Sequence, residues 1–205
     1  MNNGVKVIRF HFPLAKKIYN IYHRTNNAPL GHKETYGAVV GDEWSYLCGA
    51  DDIDCDEDYY DDTNFDIRIR SNDDGDLCVY TRGELVGICS IGRPVARFND
   101  PLIHEVTRIC FMPYFKPISN KERKYFSKLV RESLFDFRQA HLSNDIVTYI
   151  HEYQSGKYLE YAGFIKDKHI KYSSKSKGWG SRPNRSTSDL SPKYRFINHK
   201  QKGAA

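Results

Sequence analysis

Apolar positions along this chain fall into two rhythms, one helical and one strand-like. Phe126, Leu129, Val130, Leu134 and Phe137 recur at intervals of three and four, with Lys and Arg between them. That spacing predicts an amphipathic helix over 119–140, opened by the capping box Ser119-x-x-Glu122. A shorter helix is predicted from Pro13 onward, with Leu14, Ile18, Ile21 and Tyr22 on one stripe, ending near 23–27. Ser155 is expected to cap a third helix through Ala162, with Gly163 closing it at the C′ position. Strand-like runs occupy 35–40, 103–111, 146–150, 164–172 and 194–197. Leu77–Thr81 and Leu85–Ile91 flank Arg82-Gly83-Glu84, which reads as a β-hairpin. The order is a mixed α/β (α+β) one rather than the regular alternation of a doubly wound sheet.

Charge adds two unlike segments to this pattern. Residues 42–76 carry 14 Asp or Glu against Arg68 and Arg70, and read as an insertion (about 41–76) with a short strand at 65–70. Residues 166–202 carry 11 Lys or Arg against Asp167 and Asp189, the mark of a segment that meets a polyanion such as nucleic acid or a cofactor's phosphates. The length of 205 residues suits one domain over 1–197, with 198–205 expected as a disordered tail. No apolar run approaches the roughly 20 residues of a membrane span, and the first nine residues lack the apolar segment of a signal peptide, so a cytoplasmic protein is expected. Five scattered cysteines without a C-x-x-C pair argue against a disulfide framework or zinc ribbon, and three lie in strand-like runs as small hydrophobes.

Chemistry is expected first where strand 103–111 passes into helix 119–140. A helix N-terminus offers unpaired N–H groups and positive potential, a natural cradle for a pyrophosphate. Ile109, Cys110, Phe111, Lys116, Ser119, Asn120 and Lys121 line that junction. Glu105, on the strand between Ile103 and Val106, should face either water or a cleft, since burial without a partner costs several kcal/mol. Arg93, Arg97 and Arg108 present forks suited to phosphate or carboxylate. Trp179, Arg182 and Arg185 interleave an aromatic ring with guanidinium groups, a pairing suited to a nucleic-acid base and its phosphates. His23 and His32 stand nine apart with no third ligand evident, so the metal is left unknown.

The element order and the phrase Tyr158-Leu159-Glu160-Tyr161-Ala162-Gly163-Phe164 resemble the GNAT acetyltransferases. The likeness sharpens over 31–33, 86–97, 105–110 and 181–185, which look like a group of small phage and prophage GNAT-like proteins similar to the Mom family of DNA-modification proteins. It covers roughly 14–197, apart from the acidic insertion. The resemblance implies a mostly antiparallel sheet flanked by helices, acetyl-CoA or another acyl-CoA as cofactor, and Glu105 as the base that deprotonates an amine. It also implies that His23 and His32 line the acceptor pocket and that Tyr149 stands where cofactor meets acceptor. Two departures stand out: 115–120 has no glycine where the family carries a Gly-rich loop, and the family's general-acid tyrosine falls on Leu159, leaving Tyr158 or Tyr161 as substitutes. The function implied is acyl transfer to nucleic acid, most plausibly the exocyclic amine of adenine in phage DNA, in a bacterial host and protecting against restriction. A conventional N-acetyltransferase on a small-molecule or protein amine, and a non-catalytic binding protein on the same fold, remain alternatives.

Overall fold

The computed structural model describes residues 5–23, 29, 31–49, 67–71, 74, 77–94, 98–115, 120–170 and 192–200. In chain order these form β1 (Val5–Phe10), α1 (Phe12–Tyr22), β2 (His32–Gly49), β3 (Ile67–Ser71), β4 (Leu77–Gly92), β5 (His104–Phe111), α2 (Asn120–Ala140), β6 (Ile146–His151), α3 (Lys157–Tyr161), β7 (Ile165–Ile170) and β8 (Lys193–Asn198). One sheet runs β1-β2-β4-β5-β6-β8-β7, with β3 also paired to β4. Every neighbouring pair is antiparallel except β5 and β6. The class is the mixed α/β one that the element order predicts, and the mostly antiparallel sheet with flanking helices is the one that the resemblance implies.

Each sheet face has its own core. Val106, Leu129, Val130, Leu134, Phe137, Ile146, Leu159 and Phe196 pack beneath α2 and α3. Leu14, Ile18 and Tyr19 of α1 close the other face over Ile8, Val39, Leu85, Ile88, Cys110 and Met112. The predicted stripe of α2 is therefore its buried face, with Tyr125 joining it and Phe126 at its border. Arg138 anchors the last turn of α2, donating to Asn198 Oδ1 (2.7 Å) and to the Asn198 carbonyl (2.9 Å). Cys78, Cys89 and Cys110 are buried and free, as small hydrophobes in strands.

Three expectations are corrected. Residues 77–92 are one continuous strand rather than a hairpin. Gly83 does adopt positive φ, but a Cβ there would lie 2.9 Å from the Val40 carbonyl oxygen, so the chain presses against β2, which bulges over residues 41–43 opposite Gly83, and runs on instead of reversing. Ser155 does not cap α3; Gly156 stands at the N-cap with φ 65°, because a Cβ there would meet Phe196 and Ile150. The strand expected at 35–40 extends from His32 to Gly49, so part of the acidic stretch is sheet. β1 was not anticipated, although Val5, Ile8 and Phe10 are buried and Lys6 and Arg9 exposed in its pattern.

Candidate active site

β5 and β6 share only two registered pairs, His104↔Ile146 and Glu105↔Val147. β5 continues to Phe111 and β6 to His151, so the two strands part just beyond Glu105. Thr148 Oγ1 donates to the Val106 carbonyl at 3.0 Å and pins the point of divergence. A wedge between strands of one sheet leaves main-chain N–H and C=O groups able to pair with an extended ligand.

The sides of the wedge follow from strand alternation. A register shift at Ser90/Ile91 places Val106 in the α2 core and Cys110 and Met112 in the α1 core. Glu105, adjacent to Val106, therefore faces the α1 side, as do Val147, Tyr149 and His151 between the inward Ile146 and Ile150. Glu105 is only 6% exposed, which excludes a solvent-facing glutamate. His32, Gly92, Glu105 and Val147 stand in register across four strands. With strands about 4.8 Å apart, His32 and Glu105 lie roughly 10 Å apart across Gly92. A Cβ on Gly92 would overlap the Gly31 carbonyl oxygen, which accepts from the Arg93 N–H at 2.8 Å.

His32 is stacked on Phe12 (centroids 4.1 Å apart) and half-buried, and burial lowers its pKa against the opposing pull of Glu34. Its Nε2 meets Thr35 Oγ1 at 2.8 Å, Thr35 Oγ1 meets Ser90 Oγ at 2.5 Å, and Tyr19 donates to Ser90 Oγ at 2.8 Å. This chain of buried hydroxyls joins α1, β2 and β4 behind the wedge. It escapes sequence reading because Tyr19, Thr35 and Ser90 occupy apolar-stripe and strand positions where a hydrophobe would be read the same way.

On the α2 side, Phe111 stacks on Phe126 (4.1 Å, 30°) and meets Tyr158 edge to face (5.3 Å, 86°). Tyr158 is the tyrosine brought to the wedge; Leu159 is fully buried and Tyr161 is 75% exposed. Burial, and to a lesser degree the neighbouring Cys89, pushes the Tyr158 phenol up to about 12. Ile109 and Phe111 border the α2 core, whereas Cys110 points to the α1 side, its thiol pushed up to about 11 by burial.

Of the remaining expected residues, Arg108 lies on the α1 face, donating from Nη1 to the Thr107 carbonyl at 2.8 Å. His23 follows α1 with its ring edge-on to Tyr19 (5.9 Å), and Arg93 is exposed after β4. Asn120 and Lys121 begin α2. Lys116, Ser119 and its capping box, Arg97, Trp179, Arg182 and Arg185 lie outside the described residues. No group of three or more His, Cys, Asp or Glu that could hold a metal occurs among the described residues. No described helix is long and apolar enough to cross a membrane.

No family model and no curated protein matches this sequence. Solved structures to which it is similar include a chain of the NatC complex bound to Gag peptide and CoA, at 12% identity over 96% of this chain and 98% of that one, TM-score 0.48. Another is the IAA acetyltransferase of Bacillus cereus, at 11% identity over 96% and 100% of the two chains, TM-score 0.48. An aminoglycoside acetyltransferase in complex with coenzyme A aligns over 61% of this chain and 65% of its own, at 14% identity and TM-score 0.40. These superpositions are loose, and the functional reading rests on the residues of this chain.

Proposed function

We propose that this chain is an acyl-coenzyme A-dependent acyltransferase whose acceptor is an amine of a nucleic-acid base. The observation that carries the transferase reading is the wedge between β5 and β6, with Glu105 buried at its apex and Tyr158 on its opposite face. The main-chain edge of β5 beyond Glu105 suits the two amides of a pantetheine arm, and the first turn of α2 suits its pyrophosphate.

Bound acyl-coenzyme A supplies an activated acyl carbon. From the α1 side Glu105 accepts the proton that the attacking amine loses as its N–C bond forms. From the α2 side Tyr158 donates a hydrogen bond to the sulfur as the C–S bond breaks. With a phenol held near 12, Tyr158 steadies a thiolate rather than fully protonating it. His32 and Tyr149 flank Glu105 on the acceptor side and would orient the amine.

The finer reading, adenine's exocyclic amine in phage DNA, is supported by the Mom-like phrases at 86–97 and 181–185 and by the basic composition of 166–202. That amine's lone pair is delocalised, so proton removal at Glu105 has to accompany attack, and in duplex DNA the base must first leave the stack.

The test has two arms. Acetyl-coenzyme A at about 100 times its dissociation constant should stabilise the protein by roughly 2.7 kcal/mol, and Glu105→Gln should keep that shift while losing acyl transfer. Nucleosides from cells expressing the protein are then examined by mass spectrometry. Absence of the shift overturns the transferase. A shift with unmodified nucleosides overturns only the nucleic-acid acceptor and favours a conventional amine.

A further inference from the structure

The buried hydroxyls behind the wedge end on a ring nitrogen, and their protons can be counted. Tyr19 of α1 donates to Ser90 Oγ at 2.8 Å, Ser90 Oγ and Thr35 Oγ1 stand 2.5 Å apart, and Thr35 Oγ1 meets His32 Nε2 at 2.8 Å. Tyr19 and Ser90 are fully buried and Thr35 is 1% exposed, so bulk water supplies no partner. Three hydroxyl protons therefore serve three contacts. Run from Tyr19 toward His32, every proton reaches an acceptor: Tyr19 donates to Ser90, Ser90 to Thr35, and Thr35 to Nε2. With the proton on Nε2 instead, Thr35 would have to turn to Ser90. Either Ser90 or Tyr19 would then hold a buried proton with no acceptor among the described residues. Burying an unpaired donor is costly, so the first direction holds.

A neutral His32 whose Nε2 accepts carries its proton on Nδ1. Stacking on Phe12 sets the plane of the ring, and Nδ1 has no hydrogen-bond partner among the described residues. The ring is half-buried on the α1 face, in the row that runs through Gly92 to Glu105. Charged or titratable groups on the elements around it are Lys33 and Glu34 of β2, His11 and Lys16 flanking Phe12 in sequence, Arg93 after β4 and Glu105 of β5. Burial lowers the His32 pKa and so favours the neutral ring, with Glu34 opposing.

We infer that the Tyr19–Ser90–Thr35 chain locks His32 in its Nδ1–H tautomer, so that the site selects an acceptor amine standing beside a lone pair. Nδ1–H donates to that lone pair, on a ring nitrogen or a carbonyl oxygen, while Glu105 takes the amine proton. The N–C=N edge of adenine or cytosine offers both atoms. An alkylamine has no such second atom, and as an ammonium it would meet Nδ1–H donor to donor. A site built to hydrogen-bond one group rejects a substrate that lacks it, because the buried partner is left unpaired. Tyr19, Ser90 and Thr35 are thus positioning residues acting through His32. The lock deepens the nucleic-acid reading above and rests on it for the reaction.

The test is nitrogen NMR of the full chain carrying isotope-labelled histidine, in which the two ring nitrogens report which of them holds the proton. His32→Gln assigns the signals. The intact protein should show His32 as the Nδ1–H tautomer between about pH 6 and 8. Thr35→Ser should keep that state, and Thr35→Val, which removes the proton delivered to Nε2, should release a mixture of tautomers. With coenzyme A present, an adenine-containing single-stranded oligodeoxynucleotide should shift the Nδ1 signal, and spermidine should not. Thr35→Val should also lower kcat/KM for the oligonucleotide about tenfold, with Thr35→Ser close to the parent. A proton on Nε2 in the intact protein overturns the lock, as does an unchanged tautomer in Thr35→Val. A signal that spermidine moves, or that the oligonucleotide leaves in place, overturns the acceptor class. An Nδ1–H signal shifted by the oligonucleotide without any acyl transfer sinks the transferase reading alone and leaves this inference standing.

Discussion

Tyr158 and Gly92 show how much a single position can decide here. The Tyr158 ring is held by Phe111, while its hydroxyl is the part that chemistry would use. Tyr158→Phe keeps the ring and removes the donor, so acyl transfer should fall about 10²-fold while the folded state changes little. Release of coenzyme A thiol with an oligonucleotide acceptor measures the first, and thermal unfolding the second. Equal rates in variant and parent would remove Tyr158 from the mechanism. Gly92 separates His32 from Glu105 with no side chain between them, and the Gly31 carbonyl fills the space a Cβ would take. Gly92→Ala should therefore destabilise the protein by about 1–3 kcal/mol, since backbone rather than a flexible side chain must move. Urea unfolding tests it, and a midpoint unchanged from the parent would contradict the close approach.

Between elements, His104 ties β5 to β2 and to the turn after α2. Ser143 Oγ donates to the Leu102 carbonyl (3.4 Å) and receives His104 Nδ1–H (3.1 Å), leaving Nε2 to accept from the Lys33 ammonium at 2.9 Å. A neutral imidazole satisfies all three contacts; a protonated one would face an ammonium. Burial, then Lys33 and to a lesser degree the nearby His141, lower the His104 pKa, with the Leu102 backbone opposing. His141 is itself engaged with Glu34 at 3.2 Å. Because the folded pKa lies below the unfolded value near 6.5, the unfolded chain takes up the proton first. Stability is whole above pH 6.5 and drains as pH falls toward the folded pKa, by at most about 1.4 kcal/mol per pH unit per histidine. His32, lowered in the same direction, adds to the slope. Urea unfolding at pH 7.5 and 5.5 should show the loss, and His104→Gln should flatten it; an unaltered slope in that variant would exclude His104 as a source.

At the scale of the molecule, legibility tracked whether a local pattern had one physical meaning. The α2 stripe could only be a buried helix face, and Gly163 with φ 88° only a helix end. Glu105 drew notice because a charge inside an apolar strand demands a reason. The hairpin at 82–84 failed because a glycine at positive φ can face a bulge in a neighbouring strand as readily as make a turn, and only the long-range pairing with β2 decides between them. The wedge itself was not written locally, for its width depends on where β5 stops pairing with a strand 35 or more positions away. The pairing of hydroxyls through Tyr19, Ser90 and Thr35 was invisible for a related cause: each partner is isolated in sequence and meets the others only when α1 lies on the sheet.

β4 has two very different lives along its length. From Gly87 to Gly92 it is clamped between β2 and β5, whereas from Leu77 to Thr81 its neighbours are β2 and the five-residue β3. Between them β2 bulges over residues 41–43 opposite Gly83, a break in the ladder at which the far portion should open separately. Deuterium uptake should accordingly be biphasic within this one strand, with amides near Val79 labelling well before those near Ile88. The molecule would then possess an arm that can open and reclose while the half paired to β5 stays shut.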